Sequence, residues 1–375
     1  MIVSRRKLLR GIGAGAIASL ASPAISSVEA ATDVGGRLIY LDRNENPYGP
    51  SESAVAAMRD SARFCHRYPE ADALREKIAA HHQVTAEQVV LGCGSTELLR
   101  MAVEAFLLPG MKLITAVPTC PLIGSFARQK GSDVVEVPLT GERAHDLQAM
   151  LARSNGSTGM VYICNPNNPT GTLTGRRNLE QFLQQLPAHI PVVMDEAYHH
   201  YVPPTTFYSS FLEHPALEHP GFDRMVVTRT FSAIYGLAGM RIGYAVTSPE
   251  LAKRLSQFQL PFGENAAGIR GAMAALDDGE YVRRSAELNS SNRQRFVNKS
   301  DVRYAGVSHT ETNFVLVPLD HPMEEVIAHF RKNQVLVGPR FQGLDSYLRV
   351  SIGRPEEVDA FWRVWDMLPH KPMKH

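Results

Sequence analysis

Thr230, Ser232 and Arg241 stand in one stretch, Thr230 to Tyr244, where hydroxyls, small residues and a single arginine crowd between two apolar runs. Such a set suits an anion. The hydroxyls donate single hydrogen bonds, and the guanidinium offers a planar two-pronged donor to phosphate oxygens. A second candidate is Gly92-Cys93-Gly94-Ser95-Thr96-Glu97. Glycine ahead of a helix start lets backbone approach a phosphate, whose charge the free amides and helix dipole then hold. Taken alone, either stretch also reads as an ordinary glycine turn. Asp195 ends another apolar run, where a carboxylate binds a metal, caps a loop or meets a ligand. No second ligand cluster is in view, so no metal is expected. Arg349, in Leu348-Arg349-Val350-Ser351-Ile352-Gly353, offers a fork of donors to a carboxylate or a strand-edge salt bridge.

These residues need elements to carry them. Met225 to Thr228 and Arg241 to Val246 read as a strand and a return strand around the polar loop. Val89 to Leu91, Lys112 to Val117, Asp133 to Val137, Met160 to Cys164 and Val192 to Met194 read as further short buried strands, with helices between them such as Thr174 to Leu186. Strand alternating with helix predicts an α/β fold, a mostly parallel sheet between helices. Ligands of such sheets sit at the carboxyl ends of the strands, where each candidate falls. The last hundred residues read as a smaller α+β domain. The expected division is 31–60 as an arm joining the small domain, 61–267 as the large domain and 268–375 as the small one.

The chain has 375 residues, 44% hydrophobic and 21% charged, with a net charge of +1. That length predicts about two domains, and the absence of a basic stripe argues against nucleic acid. Four cysteines form neither a metal pattern nor a disulfide framework. Residues 1–30 read as a signal peptide: Ser4-Arg5-Arg6-Lys7-Leu8-Leu9, an uncharged stretch from Gly11 to Ile25, then Val28-Glu29-Ala30 as a cleavage site. The paired arginines predict the twin-arginine route and a periplasmic or otherwise exported protein. After removal of that segment no membrane association is expected.

The wording of Thr230 to Tyr244 is more specific than its chemistry. It resembles the cofactor-lysine segment of the class I and II aminotransferases, fold type I, in particular their histidinol-phosphate group. The remaining motifs fit that family in order: Asn44-Glu45-Asn46-Pro47-Tyr48-Gly49-Pro50, Arg67-Tyr68-Pro69, Asn167-Asn168-Pro169-Thr170-Gly171, Asp195-Glu196-Ala197-Tyr198 and Leu348 to Gly353. The resemblance covers about Leu38 to Leu368. It implies pyridoxal 5′-phosphate (PLP) as cofactor, held at its phosphate by Gly94, Ser95, Thr96, Thr230, Ser232 and Arg241. It implies Asp195 on the pyridine nitrogen, and Asn168 and Tyr198 on the phenolic oxygen. Tyr68 would complete the phosphate site of a partner subunit in a homodimer. Arg349 would clamp the substrate carboxylate, with Asn46 and Arg340 as further substrate contacts. Amino donor and 2-oxo acid acceptor are the small-molecule partners implied. Cys120 departs from the family, many of whose members have a stacking aromatic there.

One position departs more sharply. Where the family has the lysine that forms a Schiff base with PLP, this chain has Ala233. Three accounts follow. The protein is an aminotransferase carrying an engineered or natural Lys-to-Ala change; or it is an exported, inactive homologue that binds PLP or another ligand; or it uses another base, such as His199 or Tyr68.

Overall fold

The structure, a computed structural model, describes residues 38–203, 207–213, 221–301, 306–308 and 310–368. The signal segment expected over 1–30 lies outside the described residues.

Buried apolar runs build a seven-stranded sheet from β2 (Val89–Cys93), β3 (Lys112–Val117), β4 (Asp133–Pro138), β5 (Thr158–Cys164), β6 (Val192–Asp195), β7 (Met225–Thr230) and β8 (Ile242–Thr247), in the order β2-β8-β7-β6-β5-β3-β4. Only β8 runs antiparallel to its neighbours. Every residue of β5 and β6 is buried, which explains why these runs show no apolar and polar alternation: helices cover both faces. On one face α3 (Ser95–Phe106), α4 (Leu122–Gln129) and α7 (Pro249–Ser256) share a core with Val193 and Tyr162. On the other, α1 (Glu52–Ser61), α2 (Asp72–His82), α5 (Leu147–Arg153), α6 (Arg176–Gln185) and α8 (Ala266–Asp277) pack on Val192 and Met194. The Ser51 hydroxyl caps α1 by accepting from the Ala54 amide at 3.2 Å, a contact worth about 1 kcal/mol.

A third core gathers around Phe296, Phe330, Phe361 and Trp362. It belongs to α9 (Gly279–Asp301), α10 (Met323–Lys332) and α11 (Pro355–Trp365), with two small sheets. β1 (Ile39–Leu41) pairs in parallel with β10 (Val335–Val337), and β9 (Phe314–Pro318) pairs antiparallel with β11 (Tyr347–Ser351). The arm thus enters this core through Leu41, whereas α1 lies against the large sheet. Helix α8, which straddles the expected boundary at 267/268, also packs there through Ile269, Ala272 and Ala275, so the grain of the chain changes at α9.

Candidate active site

The phosphate-type donors meet where β2 turns into α3. Gly94 caps that helix at φ 74°, a left-handed conformation that favours glycine, and a Cβ there would strike the Arg241 guanidinium. The first amides of α3, at Ser95 and Thr96, have no acceptor within the helix and stand at the positive end of its dipole. Arg241 crosses to them from the far side of the loop, donating from Nη1 to Ser232 Oγ at 3.1 Å and to the Ala238 carbonyl at 2.9 Å. Thr230 Oγ1 accepts from the Ser232 amide at 3.0 Å. Gly243 completes the close approach, since a Cβ there would strike the Ser95 amide nitrogen. Glu97 turns away from the cup and accepts from the Cys93 amide at 2.6 Å.

Asp195 sits nearly fully buried at the end of β6. Burial pushes its carboxyl up from the ordinary range, and hydrogen bonds from Tyr162, the Ala197 amide and Thr228 oppose that shift. Tyr162 Oη donates to Asp195 Oδ2 at 2.8 Å. The sequence reading passed over Tyr162, because it lies inside an apolar run without alternation. Tyr198 Oη accepts from Asn44 Nδ2 at 2.9 Å and Asn168 Nδ2 at 3.2 Å, so its own proton is free to point elsewhere. Burial pushes that phenol well up, which makes it a donor and a poor base. Asn44, part of the Asn44–Pro50 motif but not expected to reach Tyr198, holds left-handed backbone at φ 58°.

Asn168 joins this group to Arg349. Its Oδ1 accepts from Arg349 Nη1 at 2.8 Å, while Nη2 donates to the Asp42 carbonyl at 2.6 Å. Arg349 Nε is buried with no acceptor among the described residues, which leaves a donor for an anion. Asn46 is turned toward the loop after Ala233, donating to the Ile234 carbonyl at 2.9 Å and to Tyr281 Oη at 3.2 Å. Arg340 is occupied elsewhere, with its exposed guanidinium 2.6 Å from Asp345 and 3.2 Å from Glu324. Tyr68 is 76% exposed and stacks on Phe262 at 4.4 Å, outside this subunit's own network.

Ala233 lies buried in the loop between β7 and β8, and its carbonyl accepts from the Gly236 amide at 3.0 Å. No described lysine substitutes for it. Lys77, Lys130 and Lys299 pair with Asp277, Glu104 and Asp359. Lys112 opens β3 at the end of the strand away from the motifs, and Lys253 and Lys332 lie on α7 and α10. Of the alternative bases, Tyr68 is exposed on its stack with Phe262, and His199 with its neighbour His200 is engaged in contacts of its own. His199 Nε2 meets Glu213 at 2.8 Å, and His200 Nε2 lies 3.3 Å from Tyr235 Oη. Both histidines line a separate polar cavity of about 310 Å³ with His81, His82 and Arg229. Among the described residues no group of acidic, histidine or cysteine side chains is arranged to hold a metal, and no helix is long and apolar enough to cross a membrane.

The sequence pattern of the family Aminotransferase class I and II matches residues 37–364. The chain is 36% identical over 330 residues to the histidinol-phosphate aminotransferase of Moorella thermoacetica, covering 87% of this chain and 84% of that one. To the Bacillus velezensis enzyme of the same name it is 33% identical, covering 86% and 89%. Its fold is shared with the histidinol-phosphate aminotransferase of Sinorhizobium meliloti, solved with pyridoxal-5′-phosphate, at a TM-score of 0.79 and 24% identity over 93% of this chain and 98% of that one. The chain belongs to the class I and II aminotransferases, with fold type I architecture, and PLP is the cofactor of that family. The Gly94 cradle, the buried Asp195 and the unpartnered Arg349 Nε suit PLP and an anionic substrate.

Proposed function

We propose that this class I and II aminotransferase holds PLP and an amino compound bearing a carboxylate or phosphate, and that Ala233 stands where the catalytic lysine of an active form would be. The observation that carries this reading is that separate segments build two donor groups: Arg349, Asn168, Tyr198 and Asn44 in one hydrogen-bonded chain, and Arg241 bonded to Ser232 on the β7–β8 loop with its guanidinium close against Gly94. Bound PLP supplies an electron sink for negative charge at the substrate α-carbon. Asp195 holds the proton on the ring nitrogen, Tyr198 and Asn168 donate to the phenolic oxygen, and the α3 amides with Arg241 take the phosphate. Arg349 binds the anionic group of the amino donor or of its 2-oxo acid partner. Histidinol phosphate, the substrate in the relatives' names, carries an amine and a phosphate and suits this donor set. Alanine can neither hold the cofactor covalently nor shuttle the α-proton.

The test is the absorbance spectrum of the protein with PLP, before and after a panel of amino donors. PLP should bind saturably and leave on dialysis, and donors should shift the spectrum without turnover. In Ala233→Lys, PLP should resist dialysis and an amino donor should complete a half-reaction. Borohydride fixation of PLP to another lysine of the unaltered chain would sink the reading. A second reading, an exported and inactive binder, rests on the burial of Ala233 and the pairing of Lys77, Lys130 and Lys299 elsewhere. Ala233→Lys that holds PLP covalently but turns over no donor favours it.

Two further parts of the reading concern the whole protein. The exposed stack of Tyr68 on Phe262, with Phe64 and Leu260 also exposed, supports a homodimer in which Tyr68 reaches the partner's phosphate site. Light scattering that finds only monomer at micromolar concentration counts against it. The paired Arg5 and Arg6 support export, and mature protein outside the cytoplasm after both are changed to lysine excludes the twin-arginine route.

A further inference from the structure

We infer that Tyr162 is a positioning residue: by donating its phenol proton to Asp195 Oδ2, it fixes which side of the carboxylate remains for the cofactor's ring nitrogen and keeps that carboxylate ionised. The argument begins with acceptor sites. An ionised carboxylate has about four lone-pair positions, two on each oxygen. Asp195 Oδ1 takes the Ala197 amide at 3.2 Å and Thr228 Oγ1 at 3.3 Å, which fills that oxygen. Oδ2 takes Tyr162 at 2.8 Å, the shortest of the three. One position is left, on Oδ2 beside the phenol, so a ring N–H approaching Asp195 must enter there.

The same contact sets the charge. Among the described residues no cation is paired with Asp195, and the charged or titratable groups that act on it are Glu196, which follows it, Tyr162 on β5, and the thiols of Cys120 and Cys164. Burial therefore favours the neutral acid, and Tyr162 is the strongest opposing influence. Tyr162 is itself completely buried on a strand held between β3 and β6, so the donor cannot swing away. Burial also raises its own proton affinity far above the ordinary value, so it stays a donor. Removing the hydroxyl makes Asp195 more basic, and the shared proton moves from ring nitrogen toward carboxylate.

The ring half of this inference rests on the PLP reading, and the carboxylate half does not. In full-length protein without ligand, the Asp195 carboxyl is followed by carbon-13 NMR across pH and assigned by its loss in Asp195→Asn. Tyr162→Phe should raise its midpoint by about one pH unit. Incorporation of 3-fluorotyrosine at 162, a stronger donor of nearly the same shape, should lower it, and serves if the phenylalanine variant folds poorly. With PLP labelled with nitrogen-15 in the ring, Tyr162→Phe should move the bound resonance from the protonated toward the unprotonated range. A midpoint unmoved by both changes overturns the inference, and a ring signal unmoved while the midpoint shifts overturns its second half. If the unaltered protein takes up no PLP, the proposed function fails, and the ligand-free titration still decides Tyr162.

Discussion

Asp195 and Glu196 leave the end of β6 on opposite sides of the sheet, equally buried, and meet opposite surroundings. Strand alternation separates them: Asp195 falls on the side of Val193, Tyr162 and Cys164, and Glu196 on the side of Val192 and Met194. Among the described residues Asp195 receives only neutral donors, and one acceptor position stays open. Glu196 is filled by Arg229 Nε at 2.9 Å, Arg229 Nη2 at 2.8 Å, and the Tyr208 and Ser210 hydroxyls at 2.5 Å. Burial raises the Glu196 carboxyl, but Arg229 first, then His199, Ser210 and Tyr208, outweigh it and hold it at about 2. Here the carboxylate paired with a cation is bound up in the fold, and the one with neutral donors keeps a position for a ligand. Two adjacent acids thus divide structure from chemistry.

The largest effect expected follows from the open one. In an Ala233→Lys background, Asp195→Ala should lower the rate of any amino-transfer half-reaction by several orders of magnitude, because nothing else keeps the ring nitrogen protonated. Stopped-flow spectra with a donor measure it, and an unchanged rate would assign the nitrogen another partner. Glu196→Gln should act on the other side of the comparison. It strands the Arg229 guanidinium in the interior and should cost about 3 to 5 kcal/mol in denaturant unfolding. A loss below about 1 kcal/mol would mean that the pair does not anchor the fold.

Much of this division was legible in the sequence, and its limits have physical causes. The motif residues fell at strand ends because strand lengths and loop positions are local properties. Tyr162 was hidden because β5 is buried on both faces, which erases the period of two that marks inward residues. Asn44 was hidden for a different reason. Which asparagine of Asn44-Glu45-Asn46 reaches Tyr198 depends on the left-handed turn at Asn44 and on β1 pairing with β10, a contact across about 300 residues of chain. Arg340, expected as a further substrate contact, pairs at the surface with Glu324 of α10 and with Asp345, neighbours that no local pattern reveals. The motif alone marked Ala233, and the fold places no lysine beside it among the described residues.

The histidines behind Glu196 give a smaller, pH-dependent effect. Burial, then Arg229 and His81, lower His82 to about 3, and His200 is also held neutral by burial and Arg229. The unfolded chain takes up its proton near the ordinary value of about 6.5, so between that pH and about 3 the unfolded state binds more protons and stability falls as pH falls. His82→Gln, which keeps a hydrogen-bonding side chain for Tyr244 Oη at the 2.9 Å contact, should flatten that slope by up to about 1.4 kcal/mol per pH unit. Thermal unfolding at pH 7, 6, 5 and 4 measures it, and parallel curves for the two proteins would remove His82 from the acid response.

Thr228→Val gives the smallest effect and the sharpest comparison within Asp195 itself. Thr228 Oγ1 lies 3.3 Å from Oδ1, a long bond beside the 2.8 Å contact from Tyr162, and Oδ1 keeps the Ala197 amide after the hydroxyl is gone. Valine matches threonine in volume at this fully buried strand position, so packing is preserved and only one weak donor is lost. Long hydrogen bonds weaken steeply, and a bond near the distance limit contributes at the low end of about 0.5 to 1.5 kcal/mol. The expected loss in denaturant unfolding is therefore about 0.5 kcal/mol, and the Asp195 midpoint should rise by less than in Tyr162→Phe. Equal rises in the two variants would mean that the carboxylate responds to the number of donors and not to their side. The open position on Oδ2 would then no longer follow from the geometry, and the contrast with Glu196 would rest on Arg229 alone.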